Sequence, residues 1–589
     1  MLARLACGIA ALRLATTLLS ILAPADVSQL SAAQKNAIVA ELRKYAHPLS
    51  SAYPVKSQRD LAPVLHAVGS AQIIAMGEAS HGTSELFSLK DRFFRYLVEH
   101  DGVRIFAMEA NWSDGEQIDR YLQTGQGSLR DILASTWDSR EVLRLIQWMR
   151  CYNISHHRAL HFFGMDMQQP NTVISYLVDF YKTYEPTQAA GIKYDEACID
   201  KPTMRLFKDS LSDGPKCIVA TRFVVQELAS DSNVRRSAGR AAYLAAFHAA
   251  ELVEEAAIEY SYKDIKKKAA ARDLAMAHNV QWLVSVLYPS SKVFLWAHNG
   301  HVGVGLEAWP SMGTILRQSY GSDYFAIGQT FDHGSVSQPE GETKIPPAIG
   351  NASEVIFRKV GMSPFFLDFR EVPRHSQLGR WLFQPNGIRS LGAGTIGAAE
   401  VQNEIAATLP LSFDAITFID TGHPVQWLHS QVVRRVSVPP EYSGWLKAMD
   451  WKLHSFAAED ANAGMRMLPD SKVALFVTAR PEERRLFAYL DGRLNAEPYR
   501  GKSVTISGMI ATSNAEPGAS LGFAAYGSDN ASPLVYQTVP QPILSGTTAW
   551  TRLSVTLIVP QAAKTLSSAL VLNGGGTAWL ENPTIKVSP

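Results

Sequence analysis

Residues 73–109 read IIAMGEASHGTSELFSLKDRFFRYLVEHDGVRIFAME, and the order of patterns in this stretch decides the fold. Ile73 to Met76 is a short apolar run. Leu86, Leu89, Phe93, Phe94 and Leu97 then recur at helical spacing up to Gly102, and Val103 to Met108 is a second apolar run. This is strand, helix, strand. Working outward, Leu160 to Phe163, Val293 to Trp296, Tyr324 to Ile327, Phe365 to Leu367 and Ala415 to Ile419 are further apolar runs with helical stretches between them. Such alternation predicts an α/β unit with a mostly parallel sheet and flanking helices. The Ala-, Lys- and Glu-rich interval of about 189–287 is expected to form a helical insertion beside that sheet.

Beyond about residue 470 the pattern changes to strand and turn. Ser503 to Ile510 and Leu553 to Val559 alternate polar with apolar residues, and Gly574-Gly575-Gly576 and several prolines punctuate the rest. The expectation is an all-β sandwich, jelly-roll-like, over residues 470–589, preceded by an α/β unit over 26–460. No histidine follows His454. GASLG, Gly518 to Gly522, matches a nucleophile-elbow pattern, but it has no following helix and no histidine near it, so Ser520 reads as a chance match.

The chain has 589 residues, 46% hydrophobic and 19% charged, a composition that rules out disordered and collagen-like classes. A formal net charge of +1, from 56 basic and 55 acidic side chains, leaves no basic excess for nucleic acid. A small or weakly charged molecule is the expected partner. Met1 to Ala25 carries Arg4 and Arg13, the apolar run Leu14 to Leu22, and Ala23-Pro24-Ala25, which reads as a secretory signal peptide and predicts a secreted or periplasmic protein. No later run is long enough to span a bilayer. Of the four cysteines, Cys198 and Cys217 flank one short polar segment and are the expected bridge, with free thiols as the alternative.

In open parallel sheets, ligands gather outside the carboxyl ends of the strands. The polar residues that follow the apolar runs are Glu78 and His81, then Glu109 with Asn111, Trp112 and Asp114, then Asp166, then His298 and His301. Any one of them alone is compatible with a turn residue or a helix cap. Together they form a set of titratable groups that the topology would bring to one place. A histidine with a pKa of about 6.5 suits general-base work near neutrality, a carboxylate such as Glu78 or Glu109 can orient it, and a second histidine can polarise the group attacked. That is the equipment for water attack on an acyl bond. Arg272, Met276 and Asn279, in RDLAMAHN, share one helix face from which Arg272 could reach the same place.

GEASHGTSE, AMEANWSD, FFGMDM, RDLAMAHN, WAHNGHVG and FDAITFID occur in the order of the erythromycin esterase family, which the chain resembles over roughly residues 65–430. The resemblance implies an α/β catalytic unit with a helical portion and a hydrolase acting on an ester, in known cases the macrolactone ring of macrolide antibiotics. It also implies that His81 is the base that activates water, with Glu78, Glu109, His298 and His301 around it. Lys90 stands where many members have arginine. Lys90, Asn111, Trp112, Asp166, Arg272 and Met276 are the expected substrate-binding residues. From YRGK at Tyr499, Val559-Pro560 and Gly576-Thr577-Ala578-Trp579, the C-terminal region resembles a galactose-binding-type jelly roll, which implies either a glycan partner or a domain that packs on its neighbour. Two other readings compete with an exported hydrolase that needs no cofactor. One makes His81, Glu109, His298 and His301 ligands of a metal; the other makes the chain a cell-envelope glycan-binding protein without turnover.

Overall fold

The computed structural model describes residues 30–127, 137–156, 159–195, 198–199, 210–211, 213–338, 341–392, 400–428, 432–437, 449–455, 461–467, 473–480, 487–527, 533–538 and 544–588. The signal peptide read at residues 1–25 lies outside them. Among the described residues, no helix is long and apolar enough to cross a membrane.

The first part of the chain builds strands β1 (His47–Pro48), β2 (Ile73–Met76), β3 (Val103–Asn111), β4 (His161–Asp166), β5 (Lys292–Trp296), β6 (Tyr324–Gln338), β7 (Gly341–Ile345) and β8 (Phe365–Asp368). A two-stranded ribbon follows, β9 (Asn386–Arg389) and β10 (Glu404–Ala407), and then β11 (Ala415–Gly422). The main sheet runs β1-β8-β11-β6-β2-β5-β3-β4, with β7 added to β6. From β11 to β4 all neighbours are parallel; β8, β1 and β7 join antiparallel. The apolar runs read as strands, from Ile73 to Met76 through Ala415 to Ile419, all fall on strands of this sheet. Phe365 to Leu367 is the one that enters antiparallel, which a run of apolar residues cannot reveal.

Those runs are continuous because both faces of the sheet are covered. Ile73, Ala75, Ile105, Ala107, Val293 and Leu295 belong to one core cluster, shared with the helical interval through residues such as Val253 and Met276. Ile74, Met76, Phe106, Met108, Phe294 and Trp296 belong to the other, shared with the helices Ser84–His100 and Arg140–Ser155. Successive side chains of a strand point to opposite faces, so a strand buried on both must be apolar at every position. The expected helical interval contains Gly214–Ser230, Ser232–Ser261 and Ile265–Trp282. Cys198 and Cys217 are joined, with Cα atoms 5.6 Å apart, while Cys151 is free and exposed.

The all-β region holds β12 (Val432–Arg435), β13 (Asp450–Ser455), β14 (Asn462–Met467), β15 (Val473–Ala479), β16 (Phe487–Asn495), β17 (Ser503–Tyr526), β18 (Pro533–Thr538), β19 (Leu544–Ile558) and β20 (Thr565–Ser588). Their order is β12-β13-β16-β20-β15-β14, and β17 pairs with β18, β19 and β20. β12, β13 and β14 precede residue 470, where the alternating pattern first becomes visible. Val504 and Ile506 on β17 and Leu553, Val555 and Leu557 on β19 supply a core of their own at the two-residue period. Ser520 is buried within β17, far in kind from an exposed nucleophile.

The turn after β2 is held by close backbone contact. Asn299 Nδ2 donates to the Gln329 carbonyl at 2.7 Å, and the Gln329 N–H donates to Asn299 Oδ1 at 3.1 Å. A Cβ at Gly77 would lie 2.1 Å from that Oδ1 and 3.1 Å from the Asn299 Cα. Only glycine lets the three strand ends β2, β5 and β6 meet there. Gly77→Ala is therefore expected to destabilise the α/β unit by about 1–3 kcal/mol, read as a lower midpoint in urea unfolding.

Candidate active site

Parallel neighbours β3, β5 and β2 end side by side, so Glu109, His298 and the Gly77–Glu85 loop meet although they are far apart in sequence. Glu78 is fully buried. Its Oε1 lies 2.9 Å from His81 Nδ1, and its Oε2 accepts from Lys90 Nζ at 2.5 Å. Lys90 is delivered by the inner face of the helix Ser84–His100; it also donates to Gln329 Oε1 at 2.6 Å and sits 4.8 Å from the centre of the Trp296 ring. Burial pulls the Lys90 amine down to about 8, against the pull of Glu78 in the other direction. At neutral pH it stays largely charged and offsets the buried carboxylate.

Glu78 Oε1 and His81 Nδ1 are close but not aligned for a hydrogen bond; a small ring rotation would place the Nδ1 proton on the carboxylate and leave Nε2 with the lone pair. The His81 side chain is 11% exposed, so solvent reaches the ring in an otherwise largely buried cluster. The Trp137 ring meets it edge-on at 5.2 Å, and the His298 ring lies 5.3 Å away at 36°. Trp137 is itself fixed, its Nε1–H donating to the Glu109 carbonyl at 2.8 Å.

His298 caps the short helix Asn299–Val302, its Nδ1 accepting from the Gly300 N–H at 3.2 Å. That bond requires a lone pair on Nδ1, so the proton of the neutral ring sits on Nε2. Nε2 is buried and has no partner. Burial, with His81 adding repulsion, pushes the His298 pKa down to about 3. His298 is thus a neutral donor, its ring near the Ala79 backbone carbonyl but with Nε2 in no hydrogen bond of good geometry.

Glu109 is the hub of the neighbouring network. Its Oε2 accepts from the His298 N–H at 2.9 Å, and its Oε1 lies 2.7 Å from Arg272 Nη2 and 3.4 Å from His301 Nε2. Burial pushes its carboxyl up, but His301 and Arg272 overcome this and hold it well below the usual range. Arg272 also grips Asp166 at the end of β4, donating to Oδ2 from Nη2 at 2.6 Å and from Nε at 3.2 Å. His301 Nδ1 is 2.7 Å from Asp273 Oδ1. Burial opposes a charge on this ring, yet Asp273 and Glu109 push its pKa up to about 10. His301 Nε2 and Arg272 Nη1 are 3.0 Å apart, and the two side chains are surrounded by the carboxylates of Glu109, Asp166 and Asp273.

Glu78, His81, Lys90, Glu109, Asp166, Arg272, His298 and His301 are brought together. Asn111, Trp112 and Met276 are not. Asn111 Nδ2 donates to Ser113 and Thr172, the Trp112 ring packs edge-on against Tyr176, and Met276 is fully buried in the core. Their position after a strand or on the Arg272 face is accounted for by packing and turn bonding. Asp273, Gln329 and Trp137 join the site without having been singled out. Asp273 adjoins Arg272 in RDLAMAHN, and Gln329 follows the run Tyr324 to Ile327, so the strand-end rule applied once more would have found it. Trp137 carried no such signal. As for a metal, Glu109 is taken up by Arg272, His301 and a backbone amide. Among the described residues, the group whose ligand atoms all lie within 4.8 Å of one another is Asp332, His333 and Asp420, not the histidine cluster. There Asp332 already holds Arg358.

Proteins with this architecture are found by comparison. A crystal structure of a Bacillus cereus protein aligns with 67% of this chain and 99% of its own at a TM-score of 0.60 and 24% identity, which fixes the fold. A solved structure described as a succinoglycan biosynthesis protein aligns over the same shares at a TM-score of 0.59 and 24% identity. Erythromycin esterase type II of Escherichia coli is 24% identical over 375 residues, 56% of this chain and 88% of that protein. The putative hydrolase YbfO of Bacillus subtilis is 22% identical over 381 residues, 58% of this chain and 84% of that protein. The fold and these relatives define a hydrolase. The erythromycin esterase family model matches residues 98–422, more than half of the chain, and the chain belongs to the erythromycin esterase family.

Two measurements check the electrostatics. Lys90→Met leaves Glu78 buried without its cation and is expected to cost about 3–5 kcal/mol in urea unfolding. His298 stays neutral in the folded protein down to about pH 3, whereas the unfolded ring protonates near 6.5. Its contribution to stability is therefore full above pH 6.5 and is lost as pH falls towards 3. Unfolding midpoints followed over that window should fall less steeply in His298→Gln than in the parent.

Proposed function

We propose that the protein hydrolyses a carboxylic ester by direct attack of water, with His81 as general base. The observation that carries this reading is the pair of imidazoles on adjacent strand ends, ring centres 5.3 Å apart, His81 with the Glu78 carboxylate 2.9 Å from Nδ1 and His298 with its Nδ1 taken up by the Gly300 N–H. A base and an oxyanion donor are the two groups that water attack on a carbonyl needs. His81 Nε2 takes a proton from water as the oxygen bonds to the carbonyl carbon. The carbonyl electron pair moves to oxygen, and His298 Nε2–H donates to that oxygen. As the tetrahedral adduct collapses, the carbon–oxygen bond to the alcohol breaks, and the His81 imidazolium returns its proton to the leaving oxygen. The products are an acid and an alcohol, one water heavier in sum than the ester.

Glu78 stabilises the imidazolium that forms on His81, and Lys90 holds Glu78 in place. Glu109, Arg272 and Asp166 position the His298 backbone. Because the His298 pKa is about 3, the ring stays a neutral donor throughout, which suits it to polarise a carbonyl and not to take a proton. The relative named erythromycin esterase type II brings macrolactones into the range of esters to test. The Cys198–Cys217 bridge supports a place in an oxidising compartment, outside the cytosol.

The reading is tested with a panel of macrolactones and simple esters, scored by a mass gain of one water. His81→Ala, with its unfolding curve unchanged, is expected to lose at least ~10²-fold in kcat/KM; unchanged turnover would exclude His81 as the base. His298→Ala is expected to lower kcat by about 10²–10³-fold with little change in KM, the signature of a donor used in the transition state. Fractionation of expressing cells, with sequencing of the mature N-terminus, checks export.

A further inference from the structure

Antiparallel helices usually fill their shared seam with leucine-sized side chains. The seam between Ser232–Ser261 and Ile265–Trp282 departs from this. On the first helix it presents His248, Glu251, Glu254 and Glu255, and on the second the small Ala271 and Ala275 with Asn279. The result is a cavity of about 400 Å³, of the size that takes a small molecule. None of the residues around His81 lines it. Arg272 and Asp273, which do serve that site, are on the same helix as the cavity wall but do not face the cavity.

The polar groups of this cavity are not used up by the protein. Neither ring nitrogen of His248 has a hydrogen-bond partner, although the side chain is only 2% exposed and is stacked on Trp282 at 4.0 Å. The nearest carboxylate oxygen, on Glu251, is 3.7 Å from its Nδ1. Asn279 is 1% exposed; its Nδ2 donates to the Met165 carbonyl, and its Oδ1 is left without a partner. Glu255 Oε1 faces His278 Nδ1 at 3.3 Å, while Oε2 is buried and unpartnered. Glu254 is matched by Arg222 at 2.7 Å, whereas Glu251, 41% exposed, faces His248. Unpaired buried polar atoms are costly, so a cluster of them around an empty volume points to a ligand that completes them.

The unmet groups include two acceptors, the Asn279 amide oxygen and one oxygen of Glu255, with the Glu251 carboxylate also in the lining. They call for a ligand rich in N–H donors and positively charged. Ile258 and Leu274 add apolar wall, and Leu274, 45% exposed, leaves the cavity open on one side. We propose that this interhelical cavity is a second ligand site, taking an alkylammonium ion whose N–H donors meet Glu255 and Asn279 and whose hydrocarbon lies along Ile258 and Leu274.

Titration calorimetry of the full chain with 1,4-diaminobutane, against uncharged 1,4-butanediol, tests this. The expected result is saturable binding of the diamine alone. That binding should weaken at least tenfold in Glu255→Gln, disappear in Ala271→Leu, which fills the cavity without removing a charge, and persist in His81→Ala. Unfolding curves of each variant verify the fold. No saturable binding, equal binding of the diol, binding that survives both cavity variants, or stoichiometric zinc in place of the diamine would overturn the proposal.

Discussion

A single guanidinium ties the α/β unit to its helical interval. Arg272, on the helix Ile265–Trp282, reaches Glu109 at the end of β3 and Asp166 at the end of β4, and Glu109 in turn holds the backbone amide of His298 after β5. Three strand ends and one helix thus depend on one cation with two buried carboxylates. Such a group adds little net stability over an apolar replacement, because taking three charges out of water costs several kcal/mol each. It does specify an arrangement. Any register or packing that separated Arg272 from Glu109 would leave a bare charge in the interior, so the network selects one position for the histidine that follows.

The same logic divides the two histidines of WAHNGH. His298 meets a helix amide on one nitrogen and no carboxylate on the other, and burial keeps it neutral with a pKa of about 3. His301, one turn later, faces Asp273 and Glu109 and is raised to about 10. Two identical side chains three residues apart therefore have pKa values displaced in opposite directions. One is suited to donate a hydrogen bond to a developing oxyanion; the other serves as a fixed cation in the carboxylate network. Lys90 plays the equivalent part for Glu78, and in this chain a lysine does so as a point charge, shared between Glu78 and Gln329.

Much of this was legible beforehand because it follows from local pattern. Apolar runs such as IIAM and VFLW mark strands buried on both faces, and the rule that parallel strands present ligands at their carboxyl ends drew Glu78, His81, Glu109, Asp166, His298 and His301 into one set. The rule fails where the polar residue after a strand has a local use. Asn111 is engaged by Ser113 and Thr172, and Trp112 by the core. Met276 shares the Arg272 face, but that face is wide enough to be functional at one end and core at the other. The early β strands of the C-terminal region escaped because β12, β13 and β14 are only four to six residues long, too short for the alternating pattern to stand out.

What the amino-acid sequence by itself determined is the order of strands and helices, the change from a helical to an alternating pattern, and which titratable residues stand at strand ends. These depend on periodicities of a few residues. What only the tertiary structure decided is the charge each of those residues carries and the direction each is free to act in. A pKa is set by burial and by partners such as Asp273, Arg272 and Lys90, which approach through space from other elements. No spacing along the chain encodes that His298 is the neutral donor and His301 the cation. The difference comes from the few ångströms between each ring and a carboxylate.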